Sequence, residues 1–265
     1  MLEQPGGMDR CGVRIGAVRY LNAWPLTFCL ARHAPAAQVV VDLPSRLADG
    51  LVEGRLDVAL IPSIEYLRHP GCTIVSDVCI ASNGPVRSVM LYSRVPVQEI
   101  GSLALDEGSR TSAALVQIWL RERHGLAPRL QTLAIGAAPA DSAADAVLLI
   151  GDRGMRSPCG RFPFVWDLGQ QWTLWTGLPF VFALWVARPG VQWDGLEAAL
   201  GAARDEGLTR LPEIARQAAP VVGIPEAECL SYLRDHLEFR LAARQRQGLD
   251  RFFELAARHG LDGRG

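Results

Sequence analysis

The stretch QVVVDLPSRLADGLVEGRLDVALIPSIEY, residues 38–66, decides the fold class. Gln38–Leu43 is a short apolar run with the β-branched content of a strand. Pro44-Ser45 then opens a helical pattern through Val52, with Ser45 placed to cap it and Gly54 to stop it. Asp57–Ile61 (DVALI) follows as an apolar run without the alternation of a strand that has one wet face. Such a strand needs helices over both faces of its sheet, so strand, helix and strand read together as an α/β unit.

The same grammar extends outward. Val13–Val18 reads as the first strand, followed by the loop Arg19-Tyr20-Leu21-Asn22 and a helix around Pro25–Arg32. Thr73–Ile80 and Val86–Ser93 read as further strands, the second introduced by the turn Asn83-Gly84-Pro85. Leu103–Asp106 runs into a helix reaching about Arg123, and Ala146–Gly151 (AVLLIG) is another buried strand. Phe180–Ala187 is a long strand that can return to the first unit. From Asp194 to Gly260 the pattern is helical: Asp194 caps one helix, Pro212 sits in the first turn of the next, and Pro225-Glu226 starts a third. The predicted architecture is α/β with two lobes. Residues 1–97 plus 180–265 form lobe 1, residues 98–179 form lobe 2, and the chain crosses near 94–98 and again near 178–182. Ligands of open α/β sheets bind beyond the carboxyl ends of the strands, which here face a cleft between the lobes.

Composition narrows the chemistry. The 265 residues are 49% hydrophobic and 21% charged, an ordinary globular balance. A formal charge of −1 offers no basic field for nucleic acid or an anionic membrane. All 27 basic residues are Arg, so Schiff-base chemistry, Lys-anchored pyridoxal phosphate and a Gly-Lys-Ser/Thr phosphate loop are excluded. Six cysteines (Cys11, Cys29, Cys72, Cys79, Cys159, Cys229) show no CxxC pair and fit buried thiols in a reducing cytosol. The opening MLEQPGGMDRCG has no apolar core of a secretory signal, and Met8 is an alternative start. Leu178–Ala187, the longest apolar run, is about half of a bilayer span. A cytoplasmic protein is expected.

The strongest chemical signal is DEGSRTS, residues 106–112. A strand ends at Asp106, Gly108 permits a tight turn, and Ser109, Arg110, Thr111 and Ser112 open a helix. One hydroxyl suffices for a cap and three are supplied, so the motif reads as a cradle for a carboxylate or phosphate. A plain capped helix with a surface Arg is the alternative. Tyr20 and Asn22 lie where a first-lobe ligand site belongs; Asn22 can orient a hydroxyl or instead form an Asx turn. Ser88 falls among apolar strand residues, either bonded to backbone or pointing into the cleft. Ser63 after the third strand can donate to a ligand or cap the next helix. Gly151-Asp152 can place a carboxylate at the mouth of lobe 2. Trp166–Trp185 holds four of the seven tryptophans together with Thr176 and Gly177, and reads as an aromatic ligand wall or as core. None of the five histidines (His33, His69, His124, His236, His259) falls at a strand end of lobe 2, and no HExxH, GxGxxG or GxSxG occurs.

VRIGAVRYLNAWPL (13–26), LPSRLADGLVEGRLDVALIPSIEY (43–66), GPVRSVMLYSR (84–94), DEGSRTSAALVQ (106–117) and TGLPFVFALW (176–185) occur in that order. As a set they resemble the menaquinone-pathway chorismate dehydratases of the futalosine route. That resemblance implies a periplasmic-binding-protein type II-like fold and elimination of water from chorismate to 3-[(1-carboxyvinyl)oxy]benzoate. It implies a small dianionic substrate, no cofactor and no metal, no nucleic-acid or membrane partner, and a monomer or homodimer. Asn22 and Ser88 then orient the reacting region as catalytic residues. Ser109, Arg110, Thr111 and Ser112 bind carboxylate, with Tyr20, Ser63, Asp152, Thr176 and Gly177 as further contacts. Asp106, Glu107, Asp152 and Glu65 are candidate bases by type; the substrate's own enolpyruvyl carboxylate is the other candidate. A non-catalytic binding protein of the same fold and the sister dihydroxynaphthoate-forming enzymes are the alternatives. The sister enzymes are expected to carry a catalytic His in lobe 2.

Overall fold

The computed structural model describes residues 12–156, 162–191 and 194–263. Strand β1 (Arg14–Val18) leads through the short helices α1 (Trp24–Thr27) and α2 (Leu30–His33) to β2 (Gln38–Asp42). Helix α3 (Pro44–Val52) then leads to β3 (Val58–Pro62), and α4 (Ser63–Arg68) to β4 (Thr73–Ser82). β1 pairs parallel with β2 and β3, and every residue of β3 is buried, as its unbroken apolar run requires.

The chain next crosses to a second sheet built from β5 (Val89–Ser93), β6 (Ser102–Asp106), β7 (Arg129–Leu133), β8 (Ala146–Ile150) and β9 (Phe164–Asp167). Helix α5 (Thr111–His124) links β6 to β7, the short α6 (Gly151–Gly154) follows β8, and α7 (Leu168–Thr176) follows β9. Strand β10 (Phe180–Ala187) then returns to the first sheet. Helices α8 (Leu196–Thr209), α9 (Leu211–Val222) and α10 (Glu226–Asp235), strand β11 (Glu238–Arg240) and helix α11 (Ala243–Arg258) complete the chain. The sheet orders are β11-β4-β10-β3-β1-β2 and β7-β6-β8-β5-β9. β10 is antiparallel to both its neighbours, and β5 to both of its own.

Several local expectations are corrected. β5 pairs with β8 from Val89 opposite Ile150 to Ser93 opposite Ala146, so it belongs to the second sheet. The first crossing is therefore residues 83–88, not 94–98. Ser88 lies just before its strand rather than inside it, because Arg87 adopts a left-handed φ of 61° that breaks the extended run. Ser45 does not cap α3: Leu43 holds the cap position without a side-chain bond and Pro44 pre-sets the first turn. Asp194 does not cap α8 either, since Gly195 (φ 83°) occupies that place. The tail also holds a strand, β11, where only helices were expected.

One apolar core cluster runs through both lobes, and a second, smaller one around Tyr92, Val147 and Leu149 belongs to the second lobe. Trp172 and Trp185 are fully buried, and Trp172 sets its edge against Phe180 with centroids 5.1 Å apart. The tryptophan-rich segment is thus core and not a ligand wall. Cys29, Cys72, Cys79 and Cys229 are free thiols, and burial pushes Cys72, Cys79 and Cys229 up; Met8, Cys11 and Cys159 lie outside the described residues. No helix among the described residues is long and apolar enough to cross a membrane.

Candidate active site

The turn after β6 is wound by its own carboxylate. Asp106 Oδ1 accepts the Gly108 amide at 3.0 Å, its carbonyl takes the Ser109 amide at 2.9 Å, and Arg153 meets Oδ2 at 3.1 Å. Burial pushes the Asp106 pKa up, with Arg153 pulling against it. Glu107 is likewise occupied, accepting the Ile135 amide. Both residues shape the turn that points the start of α5 at the cleft.

No side chain caps α5, whose cap position is Arg110. Its first amides have no intrahelical acceptor, and the three hydroxyls have other fates. Ser109 Oγ is buried with no partner. Ser112 is buried along the cavity wall. Thr111 Oγ1 accepts the Ile64 amide at 3.2 Å, so this lobe 2 side chain caps α4 of lobe 1.

Arg110 belongs to the cavity lining and bridges the two lobes. Its guanidinium spans the cleft to Asp49 at 2.7 Å and Glu65 at 3.0 Å, so the charge is already committed to two protein carboxylates. The local motif carries no trace of those partners, which lie 61 and 45 residues away.

Asn22 sits on a single turn, Leu21–Ala23, immediately after β1. Its side chain forms no cap, and Oδ1 is buried without a partner. The Tyr20 ring beside it lies against Gly151, where a Cβ would come within 2.7 Å of ring carbons. Burial, reinforced by Asp106, pushes the Tyr20 phenol up. Ser88 is presented by the crossing segment, which Asp167 grips: its two carboxylate oxygens accept the amides of Val86 and Arg87 at 3.0 and 2.6 Å. The Ser88 hydroxyl accepts a hydrogen bond from Tyr232 at 2.8 Å.

These residues line a cavity between the lobes that is partly open to solvent. Val18, Ile80, Val86, Ile150 and Phe182 supply apolar wall, and Tyr20, Asn22, Ser88, Ser109, Arg110, Thr111 and Ser112 supply polar groups. No carboxylate and no imidazole lines it among the described residues. The histidines are engaged elsewhere: His33 with Glu206, His69 with Glu65, His124 against Trp119, His236 at the Pro85 carbonyl and His259 with Glu122.

Four expected contacts fall outside the cavity. Ser63 is fully buried and donates to the Val181 carbonyl at 2.8 Å. Asp152 accepts the Leu21 amide at 3.0 Å, tying lobe 2 to the first-lobe loop, and burial pushes its pKa up. Thr176 bonds the Trp172 carbonyl and the Leu178 amide, and Gly177 (φ 70°) ends α7 in the left-handed conformation. These three residues finish a helix or brace the lobes, and Gly177 likewise serves the backbone. Asp167 and Tyr232 went unread in the sequence. For Tyr232 the available signal was a hydroxyl on the apolar face of α10, flanked by buried Cys229 and Leu233.

Two α/β lobes with a cleft at the sheet ends define the class, a periplasmic-binding-protein-like molecule. The fold is similar to a protein of Archaeoglobus fulgidus, with TM-score 0.76 at 14% identity, covering 96% of this chain and all of that one. It is also similar to the periplasmic aliphatic sulphonate binding protein SsuA of Escherichia coli, with TM-score 0.61 at 16% identity, covering 95% and 88%. The model of a family described as Menaquinone biosynthesis matches residues 13–258, and the chain belongs to that family. It is 32% identical over 258 residues to the chorismate dehydratase of Thermus thermophilus, covering 91% of this chain and 93% of that one. A chorismate dehydratase of Campylobacter jejuni matches at 28% over 174 residues, 63% of this chain and 64% of that one.

Proposed function

We propose that the protein is a chorismate dehydratase, a carbon–oxygen lyase converting chorismate to 3-[(1-carboxyvinyl)oxy]benzoate and water. The observation that carries the reading is a pair of buried polar atoms, Asn22 Oδ1 and Ser109 Oγ, both without protein partners and both on residues lining the same inter-lobe cavity. Buried polar atoms are seldom left unpaired, and a bound polar ligand is what satisfies these two.

A ring dianion fits the cavity in one sense. One carboxylate meets the uncapped start of α5, where free amides, the Ser109 and Ser112 hydroxyls and the helix dipole favour negative charge. The apolar walls take the ring. Asn22 and Ser88 then border the carbons that react, in the role the family motifs assign them. In the reaction, the C–H bond at the carbon bearing the ether breaks and its electron pair forms a ring double bond. The neighbouring C–OH bond breaks, and the proton and hydroxide leave as water.

Asp106, Glu107, Glu65 and Asp152 are bonded to Arg153, the Ile135 amide, Arg68 with Arg110, and the Leu21 amide, and none lines the cavity. The enolpyruvyl carboxylate of the substrate is therefore the base in this reading, and the protein contributes pose and electrostatics. The absence of an imidazole from the cavity wall favours the dehydratase over the sister dihydroxynaphthoate-forming enzymes. On this reading the protein works in the cytosol, in the futalosine route to menaquinone, as a monomer or homodimer.

The test is incubation with chorismate, following loss of the diene absorbance and identifying the product. Turnover to the aryl ether supports the reading, binding without turnover indicates a receptor, and absence of both binding and turnover rejects both. Asn22→Asp places a carboxylate where a neutral amide stands. Turnover should fall about 10²–10³-fold, the usual loss when one preorganised polar group is removed; full turnover refutes the role of Asn22.

A further inference from the structure

We infer that Tyr232, carried by α10, is a positioning residue that makes Ser88 a hydrogen-bond donor toward the ligand, beside the unpartnered acceptor Asn22 Oδ1. The inference rests on the dehydratase reading for the identity of that ligand.

The argument is a count of protons. A phenol has one, and Tyr232 spends it on Ser88 Oγ at 2.8 Å. The Asn22 carbonyl Oδ1, on a residue of the same cavity wall, has no protein partner. Ser88 in turn accepts from Tyr232, so its own proton is available to the cavity it lines. Tyr232 is 1% exposed, and burial drives its pKa far above the ordinary phenol value, so the proton stays in place at any working pH.

Tyr232 does not line the cavity; it acts through Ser88, which does. Ser88 and Asn22 offer one donor beside one acceptor. A hydroxyl completes that pair, accepting from Ser88 and donating to Asn22 Oδ1. A carboxylate does not, because it has no proton for Oδ1. This end of the cavity therefore selects the ring hydroxyl of the substrate, leaving the carboxylates to the α5 end. The Ser88 proton also lies against the oxygen that departs.

The experiment uses the full chain with chorismate. Tyr232→Phe keeps the ring and removes the relay, so kcat should fall about 10–100-fold while KM moves less than about threefold. Ser88→Ala with Tyr232→Phe should be no slower than Ser88→Ala alone, since both act through one hydroxyl. Additive losses, or a Tyr232→Phe variant that melts earlier yet keeps its kcat, would mean that Tyr232 only supports packing, and would overturn the inference. If Tyr232→Phe fails to fold, binding by the unsubstituted protein still decides. The chorismate analogue with hydrogen in place of the ring hydroxyl should bind at least tenfold more weakly than chorismate, and equal binding overturns the inference. Absence of chorismate turnover by the unsubstituted protein is a separate result: it removes the dehydratase reading and this inference with it.

Discussion

Arg110 offers a perturbation whose sign separates two roles. As a brace across the cleft it has two arms. The Asp49 arm is 2.7 Å long but its carboxylate is 46% exposed, which limits it to about 0.2–1 kcal/mol. The Glu65 arm, 3.0 Å to a carboxylate only 3% exposed, is a charge-assisted bond of about 1.5–3 kcal/mol. Glu65 keeps Arg68 at 2.8 Å when Arg110 is removed, so no buried charge is stranded and the larger penalty of a broken buried pair does not apply. Arg110→Met should then cost closure about 2–3 kcal/mol, a factor of ~30–150 at most in ligand affinity. KM for chorismate should rise by more than tenfold while kcat at saturation stays within about threefold, because a brace touches no reacting atom. Asp49→Asn is the decisive companion. For a brace it weakens affinity in the same direction, by up to about fivefold. For an Arg that grips substrate directly, releasing it from Asp49 would tighten binding instead. Steady-state kinetics on both variants, with the chorismate Kd by calorimetry, decides the matter, and a lower KM for Asp49→Asn refutes the brace.

Two further outcomes test the frame around the site. Hydrogen bonds from the Arg14 side chain, joined by Arg188, hold the Asp57 carboxyl well below the usual carboxylate range. A depressed folded pKa stabilises above the unfolded value of about 3.9 and loses that contribution as pH falls. Asp57→Asn should therefore lower stability at pH 7 by about 1–2 kcal/mol after allowance for the partly exposed Arg14 and Arg188, read as a lower Tm, and its deficit should shrink below about pH 4. In α8, Gly207→Ala adds a Cβ that would sit 1.9 Å from the Pro25 carbonyl oxygen. Despite a gain of about 1 kcal/mol in helix propensity, the overpacking of about 1–3 kcal/mol should win and lower the melting temperature by several degrees or prevent folding.

The strands and the loop motifs were legible in the sequence because apolar runs and turn residues act over a few neighbours. DVALI is buried on both faces, and DEGSRTS does turn a strand into a helix start facing the cleft. What could not be read was pairing at a distance. Arg110 finds Asp49 and Glu65, Thr111 finds Ile64, and Tyr232 reaches back 144 residues to Ser88. Nothing in the periodicity around Ser88 distinguishes a hydroxyl bonded to backbone from one held by a tyrosine of another helix. The misplaced first crossing has a similar origin. Val89–Ser93 is apolar enough for either sheet, and only its pairing with β8 and β9 assigns it.

The position of β10 sets an order of assembly. It lies between β3 and β4, near the middle of the first sheet, yet it is made only after the whole second sheet. As the chain leaves the ribosome, the amino-terminal strands wait with a vacancy at their centre while the inserted lobe can already close. Folding of the first lobe is thus gated by the emergence of residue 187, and a translational stall just before it would leave a finished lobe tethered to an open-edged one.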